Sequence, residues 1–194
     1  MVTEQRTTSG QQRDDEDMRL IARIRAKDMA AFETLYRGYH VRLSRFLLRL
    51  VNRPQLVEEV LNDTLMVVWE KAASFNGASK LSTWIFAIAY RKAMKALRKQ
   101  DEPVDDDAVA ERVSLDPTPE EDFGNDRRRA LLLKAMEALS PEHRAVINLT
   151  YFHEMGYREI AGIMDCPVDT VKTRMFHARR HLKRRMAGEL PDWV

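Results

Sequence analysis

The sequence predicts an all-α fold: two small helical domains joined by a flexible acidic linker. Three observations carry this. Glycine and proline are scarce, seven of each in 194 residues. Apolar positions recur mostly every three to four residues, the period of a helix with one buried face. Ten acids between Asp101 and Asp122 face a single base, Arg112, and separate the periodic runs into two blocks. That stretch carries −9, so the remainder carries +11 of the chain's net +2. With Pro103, Pro117 and Pro119 it reads as a self-repelling linker. The expected division is a disordered tail over 1–17, a domain over 18–100, the linker over 101–125, a second domain over 126–187 and a tail over 188–194.

The first block reads as four helices. Asp28 is placed to cap a helix in which Phe32, Leu35, Tyr39, Leu43, Phe46, Leu47 and Leu50 form one stripe. Pro54 opens the next, with Leu56, Val60, Leu61, Thr64, Leu65 and Val68 toward the core. Asn76-Gly77-Ala78-Ser79 marks a loop, and the last helix runs from about Ser82 to Lys99. The second block also reads as four helices. Ser140-Pro141 gives a cap and a first-turn proline, and Gly156 breaks the chain before a short helix to Met164. Asp165-Cys166-Pro167 then turns into a long basic helix ending near Met186.

Several classes are excluded. The longest apolar stretches, such as Leu65 to Trp69, fall far short of the roughly 20 residues of a membrane span, so direct membrane insertion is not expected. The polar N-terminus lacks a signal peptide's apolar core, which predicts a cytoplasmic protein. One cysteine, Cys166, permits no internal disulfide and no cysteine-cluster zinc site. His177 and His181 share a helix face at i, i+4, but cations surround them and no acid or thiol completes a metal site. With no phosphate-binding glycine loop and no nucleophile–base pair, we expect neither enzyme activity nor a cofactor.

A short helix, a three-residue turn and a long basic helix make a helix-turn-helix. Projected at about 100° per residue, Val171, Met175, Ala178 and Leu182 share one face of the second helix. Thr173, Phe176, His177, Arg180 and Arg184 lie opposite, flanked by Lys172, Arg179 and Lys183. An aromatic ring among cations, directed away from the core, suits DNA. Thr173, Phe176 and His177 are placed for base edges or a thymine methyl, and Lys172, Arg174, Arg179 and Arg180 for phosphates. Arg174 sits near the core edge, where an internal pair is the alternative. The helix from Ser82 repeats the arrangement. Ile85, Phe86, Ala89, Tyr90, Ala93, Ala96 and Leu97 face the core, while Arg91, Lys92, Lys95, Arg98 and Lys99 share the other side with Trp84 and Ile88. Cations beside aromatics, next to a polar loop, suit single-stranded nucleic acid. Packing of Trp84 on the preceding loop is the competing reading.

These residues resemble the bacterial extracytoplasmic-function (ECF) sigma factors. Ser74-Phe75-Asn76-Gly77 and Ser82-Thr83-Trp84-Ile85-Phe86-Ala87-Ile88-Ala89 resemble their promoter-melting part. Tyr157-Arg158-Glu159-Ile160-Ala161 and the run from Met164 to Arg174 resemble their −35-reading helix-turn-helix. With Val57 to Thr64, the similarity spans nearly all of residues 18–187. Asn62-Asp63 stands where the family usually has Gln-Glu, and His177 where arginine is frequent.

The resemblance implies a region 2-like four-helix domain and a region 4-like helix-turn-helix domain. It implies that Glu59, Asn62, Asp63, Met66 and Glu70 dock on the β′ clamp helices of core RNA polymerase, with a further contact at the β flap. Phe75, Asn76, Ser79, Lys80, Trp84, Ile88, Arg91, Lys92 and Lys95 would capture and hold the melted −10 strand. Double- and single-stranded promoter DNA and an anti-sigma factor are the other implied partners, in a stress or envelope response. A conventional helix-turn-helix regulator binding duplex operator DNA is the main alternative, and a purely protein-binding helical adaptor a second.

Overall fold

The computed structural model describes residues 15–101 and 131–186. Regular structure among them is helical: α1 over 15–25, α2 Met29–Val51, α3 Pro54–Lys71, a 3-10 turn Ala72–Ser74, and α4 Leu81–Asp101. Then come α5 over 131–137, α6 Pro141–Tyr151, α7 Tyr157–Met164 and α8 Val168–Met186. The acidic linker expected over 101–125, apart from Asp101, and the tail expected over 188–194 lie outside the described residues. Helix α1 begins at residue 15, inside the stretch expected as tail.

Local chemistry sets the helix ends. Asp28 Oδ1 accepts from the N–H groups of Ala30 and Ala31 at 3.0 and 3.2 Å, capping α2. Arg23 Nε donates to Asp28 Oδ2 at 2.8 Å; that bond, then the Ala31 N–H, holds the carboxyl below its ordinary value. Asn52, at φ 55°, closes α2 in the left-handed conformation that asparagine tolerates. Pro54 opens α3, and the Ser140 hydroxyl accepts from His143 N–H at 3.3 Å to start α6. Asp165, at φ 51°, turns the chain from α7 toward α8.

Helix α3 packs between α2 and α4, with Phe46 and Phe86 meeting at 5.2 Å between ring centroids. Burying each such side chain contributes about 1.5–3 kcal/mol. In the second half, α6 and α7 both pack on α8. The halves also pack on each other, α6 against α2 and α7 against α4, so the buried apolar residues form one continuous cluster. No described helix is long and apolar enough to cross a membrane.

Candidate nucleic-acid interface

Helix α8 follows its projected wheel. Val171, Met175, Ala178 and Leu182 are buried, while Lys172, Thr173, His177, Arg179 and Arg180 are exposed and Phe176 is 62% exposed. Leaving a phenyl ring in water on a helix with a complete buried stripe forgoes about 2 kcal/mol of burial, so folding gives no reason for it. The ring of Phe176 stands edge-on to His177 at 5.5 Å, and His177 faces His143 at 6.3 Å. Burial, and then His177, push the His143 pKa down. Phe176 borders a shallow groove with Tyr157, Met175 and the cations Lys172, Arg179, Arg180 and Lys183.

Smaller interactions arrange this face. Lys172 Nζ meets Asp169 Oδ1 at 2.9 Å, and Thr173 Oγ1 donates to the Asp169 carbonyl at 2.9 Å. The Arg179 guanidinium lies 5.6 Å from the Tyr151 ring centroid. Arg174 stands apart: half-buried, it points Nη1 at Cys166 Sγ, 3.6 Å away.

Around α4 the residues divide. Asn76, Ser79, Lys80, Arg91 and Lys95 are exposed. Asn76 Oδ1 accepts the Ala78 N–H at 3.0 Å, and Gly77 at φ 74° completes the loop. Trp84 is half-buried, its ring 5.4 Å from that of Phe75. Phe75 and Ile88, read from sequence as strand contacts, are buried at 2% and 6% exposure. Phe75 lies beneath Trp84, and α4 is enclosed on two sides, by its own domain and by α7. A helical wheel drawn for one domain shows only the first of those sides.

Two cations of this region hold carboxylates. Lys92 Nζ lies 2.7 Å from Asp63 Oδ2, and Lys80 Nζ lies 3.1 Å from Glu159 Oε1. On α3, Glu59, Asn62, Asp63, Met66 and Glu70 are all exposed along one face, Met66 at 56%.

Three residues that sequence reasoning passed over sit where the halves meet: Arg144, Asn148 and His153. Their spacing gave no signal, because a polar residue on a helix reads as solvated until its neighbours are known.

A helical domain with an exposed cationic helix, joined to a helix-turn-helix whose second helix presents an aromatic among arginines, defines a two-domain nucleic-acid-binding protein. The sigma-70 region 2 family matches residues 35–102, and the sigma-70 region 4 family residues 129–182. The RNA polymerase sigma-H factor of Pseudomonas aeruginosa is 27% identical over 175 residues, 85% of this chain and 91% of that protein. The ECF RNA polymerase sigma-E factor of Haemophilus influenzae is 28% identical over 181 residues, covering 88% and 95%. Among solved structures, the sigma factor RpoE bound to the anti-sigma factor NepR from Bartonella quintana superposes with a TM-score of 0.68 at 26% identity, covering 82% of this chain and 98% of that one. The chain belongs to the sigma-70 family as an ECF-type RNA polymerase sigma factor with regions 2 and 4, and it directs RNA polymerase to promoters. Proteins of this family are not enzymes.

Proposed function

We propose that the two halves divide promoter recognition between them. The domain over 126–187 lays α8 in the major groove of the −35 element. Lys172, Arg179 and Arg180 neutralise phosphates while Thr173, Phe176 and His177 approach base edges. The domain over 18–100 docks the exposed face of α3 on the β′ clamp helices. It holds the melted −10 non-template strand along Asn76, Ser79, Lys80, Trp84, Arg91 and Lys95. Opening is driven by differential binding: the separated strand is held better than duplex, so polymerase–promoter complexes shift toward the open form. The β flap is the second polymerase contact. The protein acts in the cytoplasm, in a stress or envelope response. An anti-sigma factor restrains it, as NepR is bound to the RpoE of Bartonella quintana.

The observation that carries this reading is Phe176, 62% exposed among cations on the face of α8 opposite its buried stripe. Incubation of the purified protein with core polymerase tests it. Co-elution and factor-dependent transcription are expected. A protein that binds duplex operator DNA tightly and ignores core polymerase is instead the conventional helix-turn-helix regulator.

A further inference from the structure

We propose that the cleft between α2 and the α6–α7 turn binds a nucleotide, a small molecule that carries phosphate groups and a flat ring.

Helix α2 lines one wall with Arg42, Arg45 and Arg49, which lie within about 60° of one another on its wheel. The end of α6 and the turn after it bring Tyr151, Phe152 and His153 to the other wall. The space between them is about 780 Å³, inside the roughly 300–1,000 Å³ range of sites that hold small molecules. Glu154, at φ 53°, takes a left-handed conformation uncommon for its residue type and so sharpens the turn. None of these residues belongs to the faces assigned to promoter DNA or to polymerase.

The field at the His153 ring is positive. Carboxylates also border the cleft, but Asp17 accepts from the Tyr39 hydroxyl at 3.3 Å, and neither Arg42 nor Arg45 has an ion pair among the described residues. After burial, the charges that lower the His153 pKa are Arg42, Arg49 and Arg45, and no carboxylate opposes them. Gathering three like charges around a buried ring works against folding, and an anion placed among them relieves the repulsion.

The aromatic wall narrows the class of anion. Tyr151 is 54% and Phe152 36% exposed, two adjacent rings that forgo burial. The Arg49 guanidinium lies 4.0 Å from the Phe152 centroid. A guanidinium stacked on a ring directs its N–H donors outward in its own plane, the geometry that suits phosphate oxygens. An exposed ring beside it offers a stacking surface for a base. Phosphate among the arginines and a base on the aromatic wall together describe a nucleotide. Because the walls come from both halves of the chain, a bound nucleotide joins them and raises the melting temperature.

Calorimetric titration and thermal melting of the full chain at low salt, without magnesium, test this with ATP and inorganic pyrophosphate as probes. ATP should bind once per chain and raise the melting temperature, and pyrophosphate should bind about tenfold or more weakly. Arg45→Gln should weaken ATP binding about tenfold. Arg42→Gln should do the same, and the Arg45 variant keeps the test valid if loss of Arg42 from the Tyr39 and Phe86 rings harms folding. Tyr151→Ala should bring ATP down to the affinity of pyrophosphate. No ATP binding at millimolar concentration, or binding unchanged in folded Arg45→Gln, overturns the proposal. Pyrophosphate binding as tight as ATP overturns the assignment of a nucleotide. ATP binding that survives Arg45→Gln but is lost in Arg180→Gln places the anion on the α8 face and also overturns it.

Discussion

Lys92 Nζ and Asp63 Oδ2 lie 2.7 Å apart, joining the helix assigned to the melted strand to the helix assigned to polymerase. Both side chains are solvent-accessible, at 31% and 59% exposure, so the pair is worth no more than about 0.2–1 kcal/mol. Asp63→Asn releases the lysine. The isolated variant should bind single-stranded −10 DNA more tightly, by about 1.5- to 5-fold at low salt, and should bind core polymerase less tightly. Fluorescence anisotropy with a labelled oligonucleotide reads the first effect. An unaltered single-strand affinity would show that the pair does not restrain Lys92.

Arg180 is exposed on the face of α8 that carries Phe176. Arg180→Ala should weaken −35 duplex binding across sequences and reduce the slope of log affinity against log salt by about 1, because one phosphate contact and its released counterion are lost. An unchanged slope rejects a phosphate contact for Arg180.

Trp84 is half-buried against Phe75, so its removal touches both packing and strand capture. Trp84→Ala should leave closed-complex formation nearly intact and impair opening. A template with a pre-melted −10 bubble should restore transcription. Lack of rescue in a folded variant would assign Trp84 to packing alone.

Burial, and then the neighbouring Arg42, Arg49 and Arg45, push His153 down to about 4 from its ordinary 6.5. The folded state therefore keeps the ring neutral while the unfolded chain takes up a proton below 6.5. The stabilisation is complete above pH 6.5 and is lost as the pH falls toward 4. His143 is shifted in the same direction, so a comparison of variants isolates His153. Melting temperature should fall less steeply between pH 6.5 and 4 in His153→Phe than in the unsubstituted protein, and parallel curves would contradict this.

Much of the fold is legible in the sequence because it is set locally. Asp28, Pro54, Ser140 and Pro141 stand at helix starts in the structure, and the stripe of α8 is buried as its spacing requires. The exposed face of α3 and the Phe176 side of α8 are legible for the same reason, since each is the complement of a buried stripe. The burial of Ile88 and Phe75 is not legible there. Ile88 sits on a helix covered a second time by α7, and Phe75 lies in a loop whose ring direction depends on Trp84. Asn148 and Arg144 show the same limit from the other side. Their acceptors, Phe46 and Leu50, lie about a hundred residues earlier in the chain, and no local pattern links them.

Photo-crosslinking tests the division of promoter recognition most directly. With p-benzoylphenylalanine in place of Phe176 or of Trp84, open complexes with core polymerase are irradiated and the crosslinked bases mapped. The position of Phe176 should mark duplex at the −35 element, and that of Trp84 the non-template strand at −10. Crosslinks from both positions to one element, or none to DNA from position 176, would contradict it.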